Sequence, residues 1–232
     1  MVATAGPSTI VLLSGGLDSA VLLVHEARTQ PVWPVYVRVG LAWEALELAM
    51  VERLLADPRL PRDIGALSIV DFTMRDVYSS SHWAIRGVPP AYDTPDEDVY
   101  LTGRNIVLLA KAGVLAVTKR AQRIAIGPLA GNPFPDARPS FFTAMQQALT
   151  LGLDQQVEVA APFLEWQKED VIRRGLELGV PLELTLSCMN PVGGTDGPPR
   201  HCGLCSKCRE RRDAFAAIGQ TDPASYAAAA PR

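Results

Sequence analysis

Ile10-Val11-Leu12-Leu13-Ser14-Gly15-Gly16-Leu17-Asp18-Ser19-Ala20 holds an apolar run, a double-glycine turn and the start of a second apolar pattern that continues through Val21-Leu22-Leu23-Val24. This order predicts a buried strand, a tight loop and a helix N-terminus. Two adjacent glycines let the backbone turn sharply and approach a ligand without a Cβ in the way. The first turn of a helix leaves N–H groups unpaired, and the helix dipole adds partial positive charge there. The place therefore suits an anion, above all a phosphate. Ser14 and Ser19 can donate hydroxyls to phosphate oxygens, and Asp18 can hold a bridging Mg²⁺ or cap the helix. The stretch has neither the lysine of a Walker A loop nor the Gly-x-Gly-x-x-Gly spacing of a dinucleotide fingerprint. An ordinary capped strand-to-helix turn is the plainer alternative.

Ser-Gly-Gly-x-Asp-Ser straight after a first strand resembles the PP-loop of the ATP pyrophosphatases. The resemblance implies a loop, Ser14-Gly15-Gly16-Leu17-Asp18-Ser19, that grips the pyrophosphate end of ATP. It implies an enzyme that transfers AMP to a carbonyl or carboxyl oxygen.

Composition bounds the remaining choices. The chain has 232 residues, 48% of them hydrophobic, enough for one sizeable core. A net charge of −3 argues against a general nucleic-acid coat or a membrane-surface protein. No apolar run approaches the roughly 20 residues of a membrane span. Met1 to Ser8 lacks the basic flank and apolar stretch of a signal peptide, so a cytoplasmic location is expected. All four cysteines fall in the C-terminal part, which points to a local metal site over a secreted disulfide framework.

Strands and helices alternate along the chain. Trp33 to Val39 reads as a second strand, and Trp43 to Leu55 as a helix with Leu46, Met50 and Leu54 on one stripe. Ala66 to Val70 follows as a third strand, and Tyr78 to Tyr100 as a long proline-rich loop. Ile106 to Lys119 is a helix, Arg123 to Ile126 a fourth strand, and Gly127 to Pro139 a second loop. Ser140 can cap a helix over Phe141 to Leu151. Val157 to Ala160 is a fifth strand, Lys168 to Leu178 a further helix, and Pro223 to Arg232 a frayed, alanine-rich tail. The expected fold is α/β: a doubly wound, mostly parallel five-stranded sheet of the PP-loop, adenine nucleotide alpha hydrolase-like kind. It divides into an ATP-binding domain over 1–180 and a zinc-binding segment over 181–232 packed on it. Ligands of such sheets bind at the carboxyl ends of the strands, where the loop at Ser14 lies.

Two further segments fit that edge. Gly103-Arg104-Asn105 begins a helix, and so does Trp166-Gln167-Lys168. A cation at a helix start opposes the dipole, so Arg104 and Lys168 are either phosphate contacts or solvated surface cations. Cys202-x₂-Cys205-x₂-Cys208 is compact, and Cys188 can close a tetrahedron around Zn²⁺. Four sulfur ligands leave no open position, which makes such a zinc structural. Disulfides are the alternative, and the adjacent His201 could replace one cysteine. Arg200, Lys207, Arg209, Arg211 and Arg212 surround the cluster as a solvated face or as an anion or RNA contact.

The PP-loop, Gly103-Arg104-Asn105, Pro135-Asp136-Ala137-Arg138, Trp166-Gln167-Lys168 and the four cysteines occur in the order found in the 7-cyano-7-deazaguanine synthase family. The resemblance covers about Ile10 to Asp213. It implies ATP-dependent adenylation of 7-carboxy-7-deazaguanine, attack by ammonia to give an amide, and a second adenylation that yields the nitrile, as part of queuosine-type biosynthesis. A carboxylate is a poor electrophile, and an AMP leaving group corrects that. The protein must hold ATP in line and neutralise the departing pyrophosphate. Asp18, Arg104 and Lys168 take the catalytic roles on this reading, and the loop with Arg104 and Lys168 holds ATP. Asp136 receives the donors of the base, and Arg138 pairs with the substrate carboxylate. Cys188, Cys202, Cys205 and Cys208 hold the zinc. The family also implies a homodimer that takes small molecules and no nucleic acid.

Three features depart from the family. Val37-Arg38-Val39-Gly40-Leu41-Ala42-Trp43-Glu44 stands where the family has an Asp-Tyr-Gly-Gln-like stretch with basic residues. Ala137 replaces a cysteine, and the interval from Cys188 to Cys202 is longer than usual. ATP binding survives these changes, whereas the nucleophile stays open between ammonia and another amine, including a protein amine. A tRNA-modifying PP-loop adenylase and a non-catalytic nucleotide-binding scaffold are the other readings.

Overall fold

The structure is a computed structural model that describes residues 7–193 and 197–231. The reading of Met1 to Gly6, the Gly194 to Asp196 part of the loop before His201, and Arg232 lie outside them. In chain order the elements are β1 (Thr9–Leu12), α1 (Leu17–Glu26), β2 (Val32–Arg38), α2 (Glu44–Leu55), β3 (Ser68–Asp71) and α3 (Trp83–Arg86). There follow α4 (Arg104–Lys119), β4 (Arg123–Ala125), α5 (Pro139–Leu153), β5 (Glu158–Ala160), α6 (Lys168–Glu177) and α7 (Ser206–Ala217). The sheet has five strands in the order β3-β2-β1-β4-β5, and every pairing is parallel.

Alternation along the strands builds two cores. Ile10, Leu12, Val35 and Val37 pack on one face with Leu109 and Ala112 of α4 and Phe142 of α5. Val11, Leu13 and Tyr36 pack on the other with α1, Val51 of α2, Val171 of α6 and Phe215 of α7. Central strands buried on both faces read as the continuous apolar runs seen in β1 and β2. The strand order reverses between β1 and β4. The loops leaving their carboxyl ends diverge and open a crevice there.

Several sequence expectations need correction. Ser140 does not cap α5: Pro139 is its first residue and Arg138 is the cap, in extended conformation. Proline's fixed φ suits the first helical position, and its ring pushes the preceding residue into the β region. The Tyr78–Tyr100 loop is broken by α3 and by a 3₁₀ turn at Asp96–Val99. The C-terminal tail is pinned instead of frayed. Ala227 N–H donates to His201 O at 2.8 Å, and the Arg212 guanidinium lies 3.9 Å from the Tyr226 ring centre while donating to Ala228 O. Helix α7 was not anticipated at all.

Candidate functional site

Local chemistry at the loop after β1 creates the first half of the site. Gly15 adopts φ +80°, and a Cβ there would stand 2.8 Å from Val51 Cγ2. Gly16 is the cap residue of α1 and has no side chain to bond the first turn, which starts at the edge of the crevice. Ser14 and Ser19 tie the loop together: their Oγ atoms are 3.2 Å apart, and Ser19 Oγ donates to Gly16 O at 3.0 Å.

Lys168 and Asp18 meet here from sequence-distant helices. Gln167 caps α6 reciprocally with Asp170, which sets the helix start and turns Lys168 inward. Lys168 Nζ lies 2.6 Å from Asp18 Oδ2 and 2.8 Å from Glu210 Oε1. Lys207 pairs with the same Glu210 at 2.6 Å. Burial alone would lower Lys168, but Asp18 and Glu210 outweigh it and hold the ammonium above the usual lysine range. Burial would raise Glu210, yet the two lysines hold it down to about 2. Asp18 Oδ1 is buried and has no hydrogen-bond partner among the described residues.

The second half of the site forms around the start of α4. Arg104 is the first residue of that helix, where a cation is unfavourable. Asp136 supplies the missing anion from another segment: its Oδ2 accepts from Asn105 N–H at 3.0 Å, and Asn105 Nδ2 donates to Asp136 O at 2.9 Å. Asp136 Oδ1 and Arg104 Nε are buried without partners. Burial raises the Asp136 carboxyl above its ordinary range, against the pull of the Asn105 amide and Arg104. Beside them Tyr36 O–H donates to Glu47 Oε2 at 2.7 Å. Burial pushes Glu47 up to about 7, although Arg104 and the Tyr36 hydroxyl favour its charged form.

These halves share one cavity of about 660 Å³ at the carboxyl ends of β1, β2 and β4. Ser14, Gly16, Leu17, Asp18, Ser19, Arg104, Asp136 and Lys168 all line it. Gly15 lies just behind, against α2. Arg138 is exposed at the cap of α5 and is not among the lining residues. Asn105 and Lys207, quoted above in the helix-start motif and among the cations near the cysteines, line the cavity too, and sequence reading missed Tyr36, Glu47, Ser187 and Glu210, which also line it. Each reaches it through a fold-level contact or from the unforeseen helix α7. An acidic residue amid the cations of Lys207-Cys208-Arg209-Glu210-Arg211 was the one available signal.

The four cysteine Sγ atoms lie within 4.8 Å of one another, all buried. The pairs Cys188–Cys205 and Cys202–Cys208 are each 3.9 Å apart, and Cys205–Cys208 is 3.5 Å. A disulfide needs about 2.05 Å. Tetrahedral Zn–S bonds of about 2.3 Å require sulfurs roughly 3.8 Å apart. Amides of Asn190, Cys202 and Leu204 donate to the sulfurs, as suits thiolates. The donor set fits a closed four-sulfur site that could bind a metal such as zinc. His201 is not part of it, because its Nε2 accepts from Ser187 N–H at 3.1 Å. The nearby cations are mostly committed within the fold. Arg211 is 2% exposed and bound to Asp222, Thr185 and Leu182 O, while Arg212 binds Gly203 O and Ala228 O. No helix among the described residues is long and apolar enough to cross a membrane.

Comparison with known proteins places the chain in a family. The family described as queuosine biosynthesis protein QueC matches residues 8–219. The chain is 35% identical to a 7-cyano-7-deazaguanine synthase of Methanoculleus marisnigri, over 94% of this chain and 97% of the relative. It is 34% identical to one from Azoarcus sp. (strain BH72), over 96% and 98%. A third, from Caldicellulosiruptor bescii, is 32% identical over 94% and 96%.

Proposed function

The chain belongs to the queuosine biosynthesis protein QueC family, and on that premise we propose that it uses ATP to adenylate 7-carboxy-7-deazaguanine for attack by an amine. With ammonia the product is the amide and, after a second adenylation, 7-cyano-7-deazaguanine. The cavity supports this reading: it is lined by the Ser14–Ser19 loop and the start of α1 at one end and by a buried carboxylate with an unpartnered oxygen at the other.

In the proposed reaction the amides of α1 and the cations Lys168 and Arg104 offset charge on the departing pyrophosphate. Asp18, paired with Lys168 through Oδ2, keeps Oδ1 without a partner; that carboxylate would hold a Mg²⁺, which would supply further charge to offset the phosphates. Asp136 Oδ1 accepts the amino and ring N–H groups of the base. The amine nitrogen attacks the acyl carbon, the bond to the AMP oxygen breaks, and the amine loses a proton to the surroundings. No protein nucleophile is needed. Zinc held by the four thiolates is structural, since no coordination position is left for substrate. The protein acts as a cytoplasmic homodimer on this reading. A protein amine in place of ammonia remains the alternative nucleophile, motivated by the altered turn from Val39 to Glu44, where the Glu44 carboxylate accepts from Val39 and Gly40 N–H.

Calorimetry with each ligand tests the division of labour. Asp136→Ala should weaken the deazaguanine acid by about a hundredfold and ATP by little, because the base then loses a charged acceptor. Lys168→Ala should do the reverse. Unchanged binding of the acid to Asp136→Ala would show that the base is read elsewhere.

A further inference from the structure

We infer that Ser187, carried by the segment the four cysteines organise, is a phosphate-contacting residue of the nucleotide site. The inference rests on the ATP reading proposed above and deepens it, because it gives the metal-binding segment a part in holding the nucleotide.

The two loop hydroxyls are largely spent on each other. Ser14 Oγ accepts from Gly16 N–H at 3.4 Å, Ser19 Oγ accepts from Ser14 N–H at 3.2 Å, and Ser19 O–H is directed at Gly16 O. Ser187 differs. Its Oγ accepts from Leu17 N–H, in the first turn of α1, at 3.3 Å. Among the described residues no acceptor takes its own hydroxyl hydrogen, and the residue lines the cavity. A Cβ on Gly16 would stand 3.4 Å from Ser14 Oγ and 4.0 Å from Ser187 Oγ, so the hydroxyls converge on the bare glycine. A hydroxyl that accepts from a first-turn amide keeps its own hydrogen to donate to a phosphate oxygen bound at that helix start.

Its position is set by the cysteine segment. Leu186 N–H donates to Gly15 O at 2.7 Å, which stitches the segment to the loop itself. Ser187 N–H donates to His201 Nε2, and the next residue, Cys188, accepts from Cys202 N–H at 3.2 Å within the sulfur cluster. The four-sulfur site therefore touches no phosphate but fixes a hydroxyl that does. Metal binding and local folding are coupled in such sites, and here that coupling extends to the nucleotide.

The test uses the metal-loaded full chain. Calorimetry is run with a non-hydrolysable ATP analogue and with AMP, on wild type, Ser187→Ala and Ser187→Thr, alongside metal content and melting temperature. Ser187→Ala should bind the ATP analogue about tenfold more weakly, the loss of one hydrogen bond to a charged group, and AMP within about twofold of wild type. Ser187→Thr should restore the affinity, and metal content and melting should stay unchanged. Equal ATP-analogue affinity in wild type and Ser187→Ala would overturn the inference while leaving the ATP reading intact. Parallel loss of both nucleotides together with metal would overturn it too, reducing Ser187 to a structural residue. Failure of the wild type to bind the analogue would remove the ATP reading and the inference with it.

Discussion

Replacing Glu47 with Gln should stabilise the protein at pH 8 and flatten its stability between pH 5 and 7. Glu47 is buried in the floor of the cavity, and its carboxyl sits at about 7 in place of 4.5, because burial outweighs Arg104 and the Tyr36 hydroxyl. The folded state thus keeps a proton that the unfolded chain has released, so stability falls as pH rises from about 4.5 to about 7 and is flat above. At about 1.4 kcal/mol for each pH unit, that displacement amounts to about 3 kcal/mol lost by pH 8. Glutamine keeps the shape and can still accept from Tyr36, but it has no charge to bury. Part of the gain is offset because Arg104 then loses one of the carboxylates that favour its charge, leaving an expected net of about 1–2 kcal/mol. Urea unfolding of both proteins across pH 5 to 8 measures this directly. Two curves with the same slope between pH 5 and 7 would refute the burial argument. A carboxylate kept at such a cost in a cavity is the signature of a site selected for chemistry over stability.

Two other substitutions probe the frame of the site. Gly15→Ala should cost about 2 kcal/mol, since it combines a positive φ with a Cβ placed against Val51; ATP binding should fall with it, and denaturant titration with calorimetry reads both. Arg211→Met should cost about 3–5 kcal/mol by stranding the buried Asp222 carboxylate. Adding Asp222→Asn should recover part of that loss, and strictly additive costs would contradict the pairing.

The strand and helix pattern was readable because it is local. β1, its glycine loop and α1 follow from an apolar run, two glycines and a second apolar run. β2 was expected one residue late, and β3 two residues early, because edges depend on pairing partners and not on composition. Helix α7 escaped notice for a physical reason. Its buried side is made of Ser206, Cys208, Arg211, Ala214 and Phe215, so no apolar stripe marks it. The cysteine cluster and the Asp222 partner of Arg211 pack against the positions that hydrophobic residues normally fill. Asp18, Asp136 and the cysteines could be singled out because they stand in motifs. Glu47, Ser187 and Glu210 could not, because each acquires its neighbours only when β2, the cysteine segment and α7 converge on one crevice. Arg138 stands in a motif too, and the proline after it holds it in extended conformation at the exposed cap of α5.

Adenylation of a deazaguanine acid in this cavity is open to direct measurement. Purified protein incubated with ATP, Mg²⁺ and 7-carboxy-7-deazaguanine, with and without ammonia, and analysed by mass spectrometry tests it most directly. AMP should form only when the acid is present, and with ammonia the amide should appear, followed by the nitrile. ATP left intact in the presence of both the acid and ammonia would contradict it.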